Sequence, residues 1–232
     1  MRVPFALLPF AASLAGCSML PQGAAEPSRS TSADTWYSAP VVQPLPAPRS
    51  EAVGQCLSQL GQTGAEYSAL PDRYVDQGCT TLGTVQLAAL PADGSTLGVT
   101  NIGPVTCEVS QAFTGWARYG VDRAARQILG SPVRSIETFG SYACRNVAGS
   151  GRRSAHATGA AIDISGFVLE DGRRIMVKSG WNGGTERERE FLRVVQQSAC
   201  KRFDTVLGPE YNSAHNDHLH LEGVIGTSSY CR

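Results

Sequence analysis

The chain has 232 residues but only four histidines, and all four fall in two short segments. One segment reads Ser154-Ala-His156-Ala-Thr-Gly159-Ala-Ala-Ile-Asp163, and the other His215-Asn-Asp217-His218-Leu-His220. Histidines used for packing would be scattered. The neutral imidazole is the commonest protein metal ligand and an acid/base near neutral pH. The two segments therefore read as halves of one metal site.

His156 and Asp163 are separated by a turn signal at Gly159, where the missing Cβ permits a tight reversal. A loop carrying His156 can turn there and enter a strand carrying Asp163. One ring nitrogen and one carboxylate oxygen then face a common point. His218 and His220 are two apart, and on a strand such residues share a face. Three of these four groups complete a His2Asp set. Its fourth tetrahedral position stays open to water, which is the arrangement of catalytic zinc rather than of closed, cysteine-rich structural zinc. His215 reads as a turn cap or as a hydrogen-bond partner of a ligand.

At these residues the chain resembles a known group. Ser-x-His-x-x-Gly-x-Ala-x-Asp followed by His-x-His is similar to the zinc peptidases of the D-Ala-D-Ala carboxypeptidase, lysostaphin and Hedgehog group. Every fixed position is present, as Ser154, His156, Gly159, Ala161 and Asp163, with His218 and His220 after them. A longer resemblance, from about Gln55 to Arg232, is to the bacterial extensin-like C-terminal domain family. It rests on Gly140-Ser-Tyr-Ala-Cys-Arg145, Phe191-Leu192, Ala199-Cys200, Val206-Leu-Gly-Pro209 and Tyr230-Cys231-Arg232.

The resemblance implies one catalytic Zn2+ held by His156, Asp163 and His220. It implies Asp217 as the acid/base group, His218 beside the metal as a transition-state stabiliser, and Arg145 as a substrate contact. Zinc lowers the pKa of bound water towards ~7, and a carboxylate can take that proton and return it to a leaving amine. An ideal strand would point Asp217 away from His218 and His220, so it serves only if the strand begins after it. Glu222, in phase with both histidines, is the other candidate base.

Several elements must position these groups. Glu108 to Leu129 has helical spacing in Phe113, Trp116, Ala117, Ala124 and Ile128, with Gly130 placed to stop it. Val133 to Phe139 alternates as a strand. Gly140 to Arg153 is a loop in which Arg152 and Arg153 read as solvated charges. Ala160 to Phe167 reads as a buried strand. Glu170-Asp-Gly172 is a hairpin turn, and Arg174 to Lys178 the return strand. Gly180 to Gly184 reads as a loop, with Trp181 on either a ligand groove or the core. Glu186 to Phe203 is a second helix with acidic residues in its first turn. Thr205 to Leu207 and His218 to Glu222 are final strands. Residues 52–105 are loop-rich, with short apolar runs such as Val85 to Leu90. The expected class is α+β, a single domain with a mostly antiparallel sheet and flanking helices.

The N-terminus sets the compartment. Arg2, an apolar stretch from Phe5 to Leu14 and then Leu14-Ala15-Gly16-Cys17 resemble a lipoprotein signal with its lipobox. Lipid on Cys17 would anchor the protein to a membrane. Ser18 after the cysteine favours the outer membrane, facing the periplasm of a Gram-negative bacterium. The expected organisation is a signal over 1–17, a Pro/Ser/Ala-rich tether over 18–51 and one domain over 52–232. The tether holds too few large apolar residues to offset chain entropy. Lys plus Arg equals Asp plus Glu at 20 each, and no long basic run occurs, which argues against nucleic acid.

Six cysteines follow Cys17, namely Cys56, Cys79, Cys107, Cys144, Cys200 and Cys231. In an exported domain these read as disulfides, with sequential pairing as the expectation. That scheme joins Cys56 to Cys79, Cys107 to Cys144 and Cys200 to Cys231. The functional expectation is a lipid-anchored zinc peptidase acting on cell-wall peptidoglycan. The alternatives are a non-catalytic wall- or partner-binding lipoprotein that keeps the metal for stability, and a metal-free structural lipoprotein.

Overall fold

The structure, a computed structural model, describes residues 49–232. The expected signal, the lipid-bearing Cys17 and the tether up to residue 48 lie outside the described residues. Helix α1 (Glu51–Gln62) starts at once, capped by the Ser50 hydroxyl, which accepts from Val53 N. Strands β1 (Glu66–Ala69), β2 (Tyr74–Asp76), β3 (Cys79–Thr80), β4 (Thr84–Pro91), β5 (Thr96–Thr100) and β6 (Val105–Thr106) follow. The apolar run Val85 to Leu90 thus lies within a single strand, β4.

Helix α2 (Cys107–Trp116) then begins a longer helical stretch. Its later turns, Ala117–Asp122 and Ala125–Leu129, widen to i→i+5 hydrogen bonding. Gly130 ends it in the left-handed conformation, φ 73°, as the sequence predicts. Strands β7 (Val133–Gly140), β8 (Ala161–Leu169) and β9 (Arg174–Met176) form the middle of the fold. Helices α3 (Val177–Gly183) and α4 (Glu186–Ala199) precede β10 (Thr205–Leu207), β11 (Leu219–Glu222) and β12 (Tyr230–Cys231).

The main sheet has ten strands, ordered β1-β4-β5-β7-β8-β11-β10-β12, with β6 beside β4 and β9 beside β8. Strands β2 and β3 form a separate hairpin. Among the described strand pairs, only β5·β7 and β10·β12 are parallel. Helices and a mostly antiparallel sheet form one α+β domain, as expected. None of the described helices is long and apolar enough to cross a membrane.

One apolar core lies between sheet and helices. Trp116 is fully buried, and its indole N–H donates to Val195 O at 2.9 Å, tying α2 to α4. Around it, Phe113, Phe167 and Phe203 pack with ring centroids 5.8–6.5 Å apart. The helices approach closely at Gly120, where a Cβ would sit 2.2 Å from Ser198 Oγ. A capping box starts α4: Thr185 Oγ1 accepts from Glu188 N, and Glu188 Oε2 accepts from Thr185 N.

The structure corrects three expectations. The return strand stops at Met176, and Val177–Gly183 is helical rather than strand and loop. Trp181 is the cause. Val177, Gly180 and Trp181 recur at helical spacing on a buried face, and that burial outweighs the poor helix propensity of glycine. Trp181 is thus a core residue, 1% exposed, with the Arg193 guanidinium stacked on its ring at 3.7 Å. Helix α4 ends at Ala199, before the expected Phe203.

The third correction concerns the cysteines. Cys56 pairs with Cys107, and Cys79 with Cys144; only Cys200–Cys231 follows the sequential scheme. Helices α1 and α2 lie side by side, which sets the Cα atoms of Cys56 and Cys107 6.1 Å apart. The β2–β3 hairpin is laid against the loop after β7, with Cys79 and Cys144 at 5.5 Å. Pairing follows proximity in the fold, not in the chain.

Candidate metal centre

His156 stands on a single 3-10 turn, Ala155–Thr158. The Ser154 hydroxyl caps the turn by accepting from His156 N. Gly159 then reverses the chain at φ 66°, and a Cβ there would sit 2.9 Å from Pro104 O. Only glycine meets both demands without strain. The reversal feeds directly into β8, which carries Asp163.

Strand β11 lies antiparallel to β8 with His220 opposite Asp163. Alternation sends Ile162, Ile164, Leu219 and Leu221 into the core. It leaves Asp163, His220 and Glu222 on the other face. Three side chains thereby meet. His156 Nε2 is 3.2 Å from His220 Nδ1 and 3.2 Å from Asp163 Oδ2, and His220 Nδ1 is 2.8 Å from Asp163 Oδ1. Donor atoms on a tetrahedral zinc with bonds of about 2.0–2.1 Å lie roughly 3.3 Å apart, so the triangle has the dimensions of a zinc face.

The surroundings fit a metal as well. His156 Nδ1 faces the Ser141 carbonyl at 2.9 Å, and a carbonyl only accepts. Nδ1 therefore carries the proton, and the Nε2 lone pair points into the triangle. His220 Nε2 faces Glu222 Oε2 at 3.0 Å, so a cation that displaces the Nδ1 proton would leave the remaining proton on Nε2 and bind through Nδ1. A carbonyl or carboxylate holding the outer nitrogen is how ligand histidines are usually fixed. The triangle gathers ligand atoms from two imidazoles and a carboxylate, a donor set suited to Zn2+.

The electrostatics agree. Burial alone would raise Asp163, but the hydrogen bonds and charges of His156 and His220 hold its carboxyl far below the usual carboxylate range. Burial opposes a charge on His220, yet Asp163 and Glu222 outweigh it and lift that imidazole to about 9. Such a stabilised positive charge marks a place where a cation is favoured.

Strand β11 begins at Leu219, so His218 and Asp217 sit in the turn before it. His218 Nε2 is 3.5 Å from Asp163 Oδ1, at the edge of the triangle, and His218 Nδ1 is 2.9 Å from Asp217 Oδ1. Asp217 rests a carboxylate oxygen on His218 and touches the triangle only through that ring. Glu222 is engaged by His220. His215 pairs through Nδ1 with Asn212 Oδ1 at 2.7 Å, which makes it a brace of its own turn. Burial and the neighbouring His218 and His220 push His215 down to about 4, so it is neutral near pH 7.

A cleft of 670 Å³ opens beside the triangle, with His218, His220 and Glu222 on its wall. Arg145, Arg152, Tyr211 and Tyr230 also line it. The structure thus groups His156, Asp163 and His220, sets His218 at their edge with Asp217 behind it, and puts Arg145 on the cleft wall. Sequence reasoning missed the Ser141 carbonyl, which no side-chain motif can signal, and the bracing role of Glu222. The i, i+2 phase of His220 and Glu222 was the available clue to the latter.

A second group of possible ligands, Asp76, Cys79 and Cys144, is closed to metal because the two cysteines are joined in a disulfide.

A search of curated proteins and a search of solved structures each found no match to this chain. A model of one family, described as extensin-like protein C-terminus, matches residues 54–232, which takes in the whole site and all three disulfides. The chain therefore belongs to the extensin-like protein C-terminus family.

Proposed function

We propose that this domain is a zinc-dependent peptidase that hydrolyses amide bonds in peptidoglycan stem peptides or their cross-links. It would work in the periplasm, held by lipid on Cys17 to the outer membrane. The observation that carries the reading is a three-donor triangle with braced histidines beside an open cleft. A closed structural site would supply four protein donors. The similarity of the Ser154–Asp163 and His218-x-His220 motifs to the D-Ala-D-Ala carboxypeptidase group supplies the reaction class.

His156 Nε2, Asp163 and His220 Nδ1 would hold the ion. When bound, zinc supplies Lewis-acid polarisation of a water and of the scissile carbonyl. The chain's own residues do the remaining work. Asp217 and His218 act as one acid/base unit, because the 2.9 Å contact joins them. With its Nδ1 proton on Asp217, His218 turns Nε2 towards the triangle. The pair takes up the proton lost by the nucleophile and returns it to the leaving amine. Glu222 keeps His220 in its binding tautomer, and Arg145 contacts the substrate from the cleft wall.

The test uses the full-length protein. Purified peptidoglycan is incubated with wild type, Asp217→Ala and His220→Ala, and the released fragments are compared by mass. New fragments from wild type alone support the reading, and their masses identify the bond. Zinc content is measured in parallel, and less than about half an equivalent after loading with excess metal refutes the site.

One observation favours a second reading. Both candidate carboxylate bases, Asp217 and Glu222, are already hydrogen-bonded to histidines. A wall-binding lipoprotein that keeps zinc for stability would have the same arrangement. It predicts a full equivalent of zinc and identical fragments from all three proteins.

A further inference from the structure

Arg152 and Arg153 are neighbours in the chain, and the structure gives them opposite fates. The loop after β7 folds into a small antiparallel ladder. Ser154 N donates to Arg145 O at 3.1 Å, Asn146 bridges Arg153, and Val147 N donates to Arg152 O at 2.9 Å. Alternation across these pairs puts Asn146 and Arg153 on one face and Arg145, Val147, Arg152 and Ser154 on the other. The second set lines the cleft without exception.

Arg153 is consumed by structure. It donates to Gln77 O at 2.9 Å and to Asp76 Oδ2 at 3.1 Å, pinning the ladder to the β2–β3 hairpin. The Cys79–Cys144 disulfide braces the same junction. Arg145 and Arg152 have no carboxylate within ion-pair distance among the described residues. Two guanidinium groups at diagonal positions of one ladder repel each other unless an anion meets them. Glu222, the nearby acid of the cleft wall, is committed to His220. Arg145 and Arg152 line the same cleft as His215, His218 and His220.

We propose that Arg152 is a specificity-determining residue which, with Arg145, makes the cleft select an acidic peptide bearing two carboxylates. Guanidinium forks recognise carboxylates through paired hydrogen bonds. Arg153 and the disulfide hold the ladder so that both forks stay presented to the cleft. This inference rests on the peptidase reading for the choice of peptide, but it concerns binding and does not require turnover.

The probes are the tetrapeptide L-Ala-γ-D-Glu-L-Lys-D-Ala, with two free carboxylates, and its counterpart with D-isoglutamine, with one. Dissociation constants are measured by calorimetry on zinc-loaded full-length wild type, Arg152→Gln and Arg187→Gln. Arg187 is an exposed residue of α4, away from the cleft lining, and controls for net charge. Arg152→Gln is expected to weaken the two-carboxylate probe about tenfold and to leave the isoglutamine probe within about twofold. Arg187→Gln should leave both within about twofold. Equal losses for the two probes, equal losses in the two variants, or no binding of either probe to wild type would overturn the proposal. Selective binding without cleavage would sustain it while removing the peptidase reading.

Discussion

Glu222 offers the sharpest test of how the site is built. Its Oε2 lies 3.0 Å from His220 Nε2, while His220 Nδ1 points into the donor triangle. As a brace, the carboxylate fixes the tautomer and raises the basicity of the ligating nitrogen. Loss of such a partner typically costs 10–100-fold in metal affinity. Glu222→Gln keeps an acceptor but removes the charge, so it belongs at the low end, about tenfold or 1.4 kcal/mol. Glu222→Ala removes both and belongs near the high end. The assay is competition between the protein and a zinc chelator of known affinity, supported by thermal unfolding with and without zinc. At a zinc concentration 100 times the wild-type dissociation constant, binding stabilises the fold by about 2.7 kcal/mol. A tenfold weaker variant at the same concentration retains about 1.4 kcal/mol. Wild-type zinc affinity in Glu222→Gln together with lost turnover would refute the bracing role and make Glu222 the base.

Three further outcomes follow from the packing. Gly159→Ala forces a Cβ into a left-handed residue 2.9 Å from Pro104 O, and should cost roughly 2–3 kcal/mol in a denaturant titration. Because Gly159 joins the His156 turn to the Asp163 strand, zinc affinity should fall with it. Replacing Cys79 and Cys144 together by alanine removes a bridge spanning 65 residues and should cost about 2–4 kcal/mol, read as a lower midpoint under non-reducing conditions. Trp116→Phe leaves the buried Val195 carbonyl without its side-chain donor and should cost roughly 1–3 kcal/mol.

Much of the site is legible in the chain because its signals are local. The two histidine segments, the turn at Gly159 and the i, i+2 spacing of His218 and His220 are short-range patterns. The structure brings His156, Asp163 and His220 to one place. The Glu108–Leu129 helix, the Val133 strand and the Asp163 strand are legible for the same reason, since periodicity reflects which face is buried. The misread segments are those where a distant partner decides. Nothing near Trp181 announces that α4 and the Arg193 guanidinium will cover it, so two adjacent glycines suggest a loop. Nothing near Cys56 says that α2 will lie beside α1.

By itself, the sequence determined the donor types, their order and the class of fold, because residue chemistry and backbone period are properties of short stretches. Tertiary structure alone decided which atoms face the triangle. It turned Nε2 of His156 and Nδ1 of His220 into the triangle by placing the Ser141 carbonyl and the Glu222 carboxylate against their other nitrogens. It joined Asp217 to His218 by starting β11 one residue later than His218, at Leu219. It also separated Arg152 from Arg153, since a two-residue period becomes a choice between cleft and scaffold only when a ladder forms against a second surface.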